Sequence, residues 1–247
     1  MPTAVRRARG KLMYTVKIPK IVMPDVKSIT ASAAGEPFVD IEDYSKGVIL
    51  VDLQYLKAGR AGAVSSAYMR RGVADRLLSA WEQLPEGYTF KIYDAWRSVE
   101  TQSDLYYEYY NKLASDGANR GLSSEELHKM ARTFVSFPDT SAEFSFVHSS
   151  GGAIDLTVID ENGVELDMGC GFDDFSDLAE TCFFEEEGKD PTARQNRRIL
   201  YRAMTAAGFT NYPCEWWHYD FGDIFWSAIT GKPAVYASEY DVKKVIG

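Results

Sequence analysis

The stretch Gly152-Ala-Ile-Asp-Leu-Thr-Val-Ile159 is the clearest β-strand in this chain of 247 residues. It is rich in β-branched and apolar residues, and the polar segment 160–163 behind it is typical of a turn. In front of it, Gly151 lets the backbone turn tightly after His148. Asp155 interrupts the apolar run, where a carboxylate is unfavourable unless it is paired or bound to a metal. The simpler alternative places Asp155 on the solvent face of the strand.

Strands and helices are expected to intermix on both sides of this stretch without strict βαβ alternation. Further strands are predicted over 47–55, 88–94 and 215–221, and helices over 73–84, after Ser98, from Ser123 or Ser124, and over 192–207. This order favours an α+β fold over a doubly wound one. We therefore expect a single domain with a central, mostly antiparallel sheet flanked by helices.

Composition excludes several classes of protein. Apolar residues make up 45% and charged residues 26%, as in an ordinary globular protein. The net charge of −9 opposes nucleic-acid binding, and no run approaches the ~18 apolar residues of a membrane helix. The three cysteines are an odd number without C-x-x-C spacing, which indicates a reducing compartment rather than a disulfide scaffold. We expect a cytoplasmic protein that binds neither nucleic acid nor membrane.

The first 35 residues differ from the rest of the chain. They mix basic and small residues, and we interpret residues 1–35 as a loosely attached N-terminal arm ahead of a domain at 36–247. The first 20 are basic but contain no apolar core or cleavage site of a secretory signal.

The chain has only three histidines, so a histidine-based site has few possible members. His128 lies among charged residues of a predicted helix and is expected to be solvated. His218 follows two tryptophans, with Glu215 three residues before it. Residues three apart in an ideal strand point to opposite faces. Glu215 and His218 can therefore share a pocket only if this segment is bulged, strongly twisted or just beginning its strand.

Taken together, these residues suit a hydrolytic metal site. Two imidazoles and one carboxylate are a typical donor set for Zn²⁺ with an open fourth position. A separate glutamate is what a zinc hydrolase needs as general base. Arg97, at the end of the strand predicted over 88–94, can stabilise an oxyanion, although it can also be a surface arginine at a helix start.

Four blocks in order resemble the zinc D-alanyl-D-alanine dipeptidases, the family that includes the vancomycin-resistance dipeptidases. Asp94-Ala-Trp-Arg97 is similar to the motif D-x-[YW]-R, and His148-Ser-Ser-Gly-Gly-Ala-Ile-Asp155 to H-x-x-G-x-A-x-D. Met168-Gly-Cys-Gly-Phe-Asp173 is similar to M-G-x-x-F-D, and Glu215-Trp-Trp-His218 is the E-W-W-H block. The family shares its fold with D-alanyl-D-alanine carboxypeptidases and the Hedgehog signalling domain.

The resemblance implies a role for each matching residue. His148, Asp155 and His218 correspond to the ligands of one zinc ion per chain, Glu215 to the base that activates the zinc-bound water, and Arg97 to the group that stabilises the transition state. The implied reaction is hydrolysis of D-alanyl-D-alanine, or a similar free dipeptide, to two amino acids.

Near the substrate-binding region the sequence matches the family pattern at one further residue and differs from the family pattern at two. Asp173 falls where the family places an acid near the free ammonium of the substrate. Phe146 stands where the family usually has a serine in its substrate-binding region, and Ser98 replaces the usual proline after the arginine. The exact dipeptide is therefore left open, as is the oligomeric state.

Two other functions fit the same residues. One is a D,D-carboxypeptidase or an L-Ala-D-Glu peptidase that acts on longer cell-wall peptides. The other is a non-catalytic binding module stabilised by zinc. The presence of both Glu215 and Arg97 argues against the binding module, because a closed structural site needs neither.

Overall fold

The computed structural model of the protein describes residues 14–32, 35–140 and 146–247. Its strands are β1 (Phe38–Asp40), β2 (Leu50–Val51), β3 (Tyr68–Arg70), β4 (Thr89–Asp94), β5 (Ala153–Ile159), β6 (Thr210–Asn211) and β7 (His218–Asp220). Its α-helices are α1 (Ile41–Tyr44), α2 (Gln54–Lys57), α3 (Arg71–Trp81), α4 (Val99–Ser115), α5 (Ser124–Phe134), α6 (Pro191–Ala206), α7 (Ile224–Thr230) and α8 (Val242–Ile246).

A five-stranded sheet in the order β2-β4-β5-β7-β6 forms the centre of the described chain. Only β2 and β4 run parallel, and the other three pairings are antiparallel. β1 and β3 form a separate two-stranded ribbon. The predicted α+β class and the mostly antiparallel sheet are confirmed.

The register of three neighbouring strands places polar residues in one row across the sheet. Asp155 on β5 pairs with Asp94 on β4 and with His218 on β7. The pairing of β4 with β5 shifts between Ile92 and Asp94, as at a β-bulge. The end of the sheet thus gathers side chains that lie far apart in the sequence.

Local signals correctly predicted several helix ends. Ser98 caps α4 by accepting a hydrogen bond from the backbone N–H of Thr101, and Ser123 forms a capping box with Glu126 at the start of α5. Gly208 follows α6 with a φ of +94°, a conformation that favours glycine.

Two predicted strands are shorter than expected. The 47–55 segment keeps only Leu50–Val51 as an edge strand, and the chain then turns into α2, which buries Tyr55. The 215–221 segment begins its strand at His218, because the N–H of Glu215 donates to the carbonyl of Tyr212 in a preceding turn. The burial of Tyr55 overrides the β-propensity in the first segment, and in the second this turn acts together with the bond from the N–H of Trp216 to the carbonyl of Ala179.

The expectation for His128 is wrong. Its side chain is half-buried, and its Nδ1 lies 2.8 Å from the hydroxyl of Tyr106. The ring also stacks on Tyr110, with centroids 4.4 Å apart. A helix–helix contact between α4 and α5 therefore replaces the solvent that the charged neighbours suggested.

The described part of the predicted N-terminal arm contacts the rest of the chain. Tyr14 and Ile18 are buried, and the hydroxyl of Tyr14 donates to the carbonyl of Gln83. The N–H of Ile18 donates to the carboxylate of Glu185 over 3.0 Å. Residues 1–13, 33 and 34 lie outside the described residues, and the boundary at residue 35 stays a prediction.

No helix within the described ranges is both long and apolar enough to cross a membrane. All three cysteines are free thiols.

Candidate metal centre and active site

The side chains of His148, Asp155 and His218 converge in the structure. Nδ1 of His218 lies 2.9 Å from Oδ1 of Asp155, and Nε2 of His148 lies 3.3 Å from Oδ2 of the same carboxylate. The two imidazoles approach to 3.2 Å between Nε2 of His148 and Nδ1 of His218. All three residues are buried, and one donor atom from each lies within 4.8 Å of the others. Such a group can hold a metal ion.

The local sequence explains how His148 reaches the strand ends. It lies in a single 3₁₀ turn, Val147–Ser150, that ends at Gly151 with a φ of +73°. A Cβ atom at Gly151 would meet the ring of Phe38 at 2.3 Å. Only glycine fits this turn, which folds His148 back over β5.

A second partner orients each imidazole. Nδ1 of His148 lies 2.7 Å from the carbonyl oxygen of Ala95, so it must carry the proton and leave Nε2 free to bind a metal. Nε2 of His218 lies 2.9 Å from Oδ1 of Asp220, so Nε2 carries the proton and Nδ1 is free to bind a metal. Sequence reasoning missed both partners. Asp220 had a signal, because it lies two residues after His218 on the same face of β7.

Glu215 lies beside the triad rather than within it. Its Oε2 is 3.9 Å from Nδ1 of His218. The turn before β7 brings the two residues to one pocket. Of the arrangements that the sequence allowed, the structure thus has the one in which the segment is just beginning its strand. Burial raises the pKa of Glu215 to about 8. A cation held by the triad would favour its ionised form, as a general base requires.

Buried polar groups fix the position of Arg97. Its Nε lies 2.8 Å from Oδ2 of Asp94, its Nη1 2.9 Å from Oε1 of Gln102, and its Nη2 3.2 Å from Oδ2 of Asp155. Asp94 also lies 3.4 Å from Nδ1 of His148. Arg97 is therefore not the surface arginine of the alternative interpretation. The helix signal at Ser98 did not indicate Gln102 as a partner.

Asp173 faces the same space from the loop before α6. It is a non-glycine residue with a positive φ, +58°, and its Oδ1 accepts a hydrogen bond from the hydroxyl of Tyr55 over 3.2 Å. Burial raises the pKa of Asp173 to about 7. Tyr55 also lies 3.5 Å from Nη2 of Arg97, so its hydroxyl links the two charged groups. The sequence did not single out Tyr55.

The six residues singled out from the sequence line one cavity of about 390 Å³. They are Arg97, His148, Asp155, Asp173, Glu215 and His218. Phe146 also lines this cavity and is 3% exposed. A cavity of this size, with charged groups converging on one point, is typical of a small-molecule site.

The loop that carries Asp173 is held by Arg197 on α6. The buried guanidinium donates from Nε to the carbonyl of Met168 over 2.8 Å. It also donates from Nη1 and Nη2 to the carbonyls of Glu180 and Leu178, each over 2.7 Å. These bonds cross-link the two ends of the loop.

Arg197→Met should destabilise the protein by about 3 kcal/mol or more, because buried carbonyls that lose their donor each cost ~1–3 kcal/mol. Chemical denaturation monitored by circular dichroism measures the change. Arg194→Met on the same helix is the matched control and should change stability by less than about 1 kcal/mol. Equal effects of the two substitutions would mean that Arg197 does not hold the loop.

The sequence profile of the D-ala-D-ala dipeptidase family, Peptidase_M15, matches residues 74–230, a range that includes all six residues. The chain belongs to the D-ala-D-ala dipeptidase family. The resemblance drawn from the four sequence blocks is thereby confirmed, and the protein is a member of a peptidase family.

Curated relatives carry the same family name. A D-alanyl-D-alanine dipeptidase of Synechocystis is 26% identical over 218 residues, covering 81% of this chain and 87% of the relative. One of Escherichia coli is 44% identical over 73 residues, which cover 30% of this chain and 36% of the relative. One of Enterococcus faecalis is 40% identical over 77 residues, which cover 31% of this chain and 37% of the relative. High identity is thus concentrated in a short segment.

Two solved structures are similar to this dipeptidase-family chain at a TM-score of 0.42. The vancomycin-resistance D,D-pentapeptidase VanY in complex with Zn(II) is 14% identical, and the match covers 85% of this chain and 97% of VanY. VanYB in complex with D-alanine-D-alanine is 17% identical, and the match covers 70% of this chain and 84% of VanYB.

Proposed function

We propose that this protein is a zinc-dependent dipeptidase that hydrolyses D-alanyl-D-alanine, or a similar free dipeptide, to two amino acids. The observation that carries the proposal is the convergence of His148, Asp155 and His218 beside Glu215 and Arg97 in a single cavity. The curated relatives, which are named D-alanyl-D-alanine dipeptidases, support the choice of substrate.

The donor set fits zinc. Two imidazole nitrogens whose opposite nitrogens already have partners face one carboxylate, and two histidines with one carboxylate are ligands that catalytic zinc takes. We propose one ion per chain, held by Nε2 of His148, Nδ1 of His218 and Asp155. When bound, zinc supplies a Lewis acid that makes water a better nucleophile near neutral pH.

The other residues have distinct tasks. Asp173 binds the free ammonium of the substrate and so fixes its direction in the cavity. Glu215 accepts the proton of the attacking water and returns it to the leaving amine. Arg97, held in place by Asp94 and Gln102, stabilises the negative charge that develops on the carbonyl oxygen.

The decisive experiment measures D-alanine released from D-Ala-D-Ala by the zinc-loaded protein, with the N-acetylated dipeptide in parallel. Release from the free dipeptide alone is expected, since Asp173 requires an ammonium. Release from the blocked peptide would instead indicate a carboxypeptidase that acts on longer wall peptides. No release from either, with zinc bound, would contradict the proposal and favour a binding module.

Dipeptide binding should strengthen as pH rises from about 5.5 to about 7.5. Burial raises the pKa of Asp173 to about 7 in the metal-free protein, and a cation held by the triad would lower this pKa within the same range, so the carboxylate that pairs with the ammonium is lost as pH falls. We expect the Kd of D-Ala-D-Ala to fall about tenfold over this interval. Calorimetry on zinc-loaded Glu215→Gln protein measures it without turnover.

Asp173→Asn supplies the control for this pH dependence. It should bind the dipeptide weakly and with little change over the same interval, because the amide does not titrate. A pH profile that persists in Asp173→Asn would assign the titration to another group.

The domain at 36–247 and a cytoplasmic location complete the proposal. The family match within residues 74–230 supports the first, and three free thiols, as in reducing compartments, support the second.

A further inference from the structure

The cavity extends beyond the metal centre to a wall formed by α4 and α5. This part is lined by basic side chains, with Lys112 on α4, Arg132 on α5 and Arg60 in the loop after α2. The chain as a whole has a net charge of −9. Three cations and one acid, Glu108, line this part of the cavity, and this local excess of positive charge is not explained by the composition.

The three cations differ in their pairing. Arg60 forms ion pairs with Glu108 and Asp104. Among the described residues, no carboxylate lies within ion-pair distance of Lys112 or Arg132. Within the described ranges their charges are thus not compensated by a carboxylate, and an anion entering the cavity would meet both.

Aromatic groups hold Arg132 rather than acids. Its guanidinium carbon lies 4.8 Å from the centre of the Phe137 ring. This contact and a hydrogen bond to the hydroxyl of Tyr106 fix the direction of the side chain, and they leave the other hydrogen-bond donors of the guanidinium available. Arg132 is therefore positioned for a ligand and not neutralised.

Ring contacts show on which side of the metal centre this wall lies. Phe175, two residues after Asp173, packs against Tyr109 of α4 with ring centroids 4.8 Å apart and against Phe134 of α5 at 5.8 Å. The basic wall therefore adjoins the loop that carries Asp173.

A different wall of the cavity adjoins His218. Tyr212 and Phe225 stack there with centroids 5.4 Å apart, and Tyr212 lies 5.9 Å from the ring of His218. This wall is aromatic. The two walls of the cavity thus differ in charge.

We propose that Lys112 and Arg132 form a subsite for a carboxylate on the side chain of the first residue of the substrate. The proposal rests on the proposed function, in which Asp173 binds the ammonium of that residue. Its side chain then lies next to the basic wall, while the second residue faces the aromatic wall. The substrate class is a free D-dipeptide with an acidic first residue.

The test compares D-Glu-D-Ala with its neutral isostere D-Gln-D-Ala by calorimetry on zinc-loaded Glu215→Gln protein. We expect the acid to bind about tenfold more tightly than the amide, as two solvent-accessible charge pairs allow. In the double variant Lys112→Gln, Arg132→Gln the ratio of the two Kd values should approach 1. Lys129→Gln, an exposed residue on α5 outside the cavity, is the matched control and should keep the ratio.

Position on the substrate is tested with D-Ala-D-Glu and D-Ala-D-Gln. A preference for the acid in this pair alone would place the anion on the second residue and overturn the assignment. Equal binding of acid and amide in both pairs would overturn the subsite itself. Failure of the proposed function has a separate signature, namely that the zinc-loaded wild-type protein releases no D-alanine from D-Ala-D-Ala.

Discussion

Glu215→Ala is expected to keep zinc but to lower kcat on D-Ala-D-Ala by at least ~10²-fold, the low end of the usual contribution of a general base. Glu215 is not among the three converging ligands, and its Oε2 lies 3.9 Å from Nδ1 of His218. Its removal therefore leaves the metal site intact and deprives the attacking water of its proton acceptor. Steady-state kinetics together with zinc analysis measure both effects.

Two further variants make this result specific. Glu215→Gln keeps the shape of the side chain and should lose a similar factor, because an amide cannot accept the proton. Glu187→Ala removes an exposed glutamate outside the cavity and should turn over normally. Near-normal turnover in Glu215→Ala would exclude this residue as the base.

His218→Ala is expected to abolish stoichiometric zinc binding and, with it, activity. The imidazole contributes Nδ1 to the group of three donors and is oriented by Asp220 through Nε2. Two protein ligands hold zinc poorly, so the remaining His148 and Asp155 should not retain the ion. Metal analysis after gel filtration in metal-free buffer gives the stoichiometry.

His128→Ala is the matched control for this loss. His128 contacts Tyr106 and Tyr110 between α4 and α5 and does not line the cavity. It should retain one zinc per chain, and circular dichroism should show both variants folded. Stoichiometric zinc in folded His218→Ala protein would refute its role as a ligand.

Local sequence signals predicted the elements whose determinants lie within a few residues. The apolar run at 153–159, the capping box at Ser123 and the cap at Ser98 depend on neighbours along the chain, and each is found where expected. The predicted strands at 47–55 and 215–221 are shorter, because their ends depend on contacts with distant segments. Sequence periodicity carries no information on such contacts.

The segment around Glu215 shows where this limit affects function. Strand geometry alone placed Glu215 and His218 on opposite faces unless the segment was irregular. The hydrogen bond from Glu215 to Tyr212 forms a turn and delays the strand until His218. The E-W-W-H motif identifies both residues, but only this backbone turn explains how they share a cavity.

The sequence by itself determined the α+β class, the family and the set of chemically reactive residues, because scarce histidines and four ordered motifs restrict the choice. The tertiary structure decided how these residues are joined. The pairing of Asp155 with both Asp94 and His218 depends on the register of three strands. Register arises from hydrogen bonds and burial between segments far apart in the chain, so a local pattern cannot specify it. For the same reason the role of Arg197, whose guanidinium binds the carbonyls of Met168, Leu178 and Glu180, emerged only from the fold.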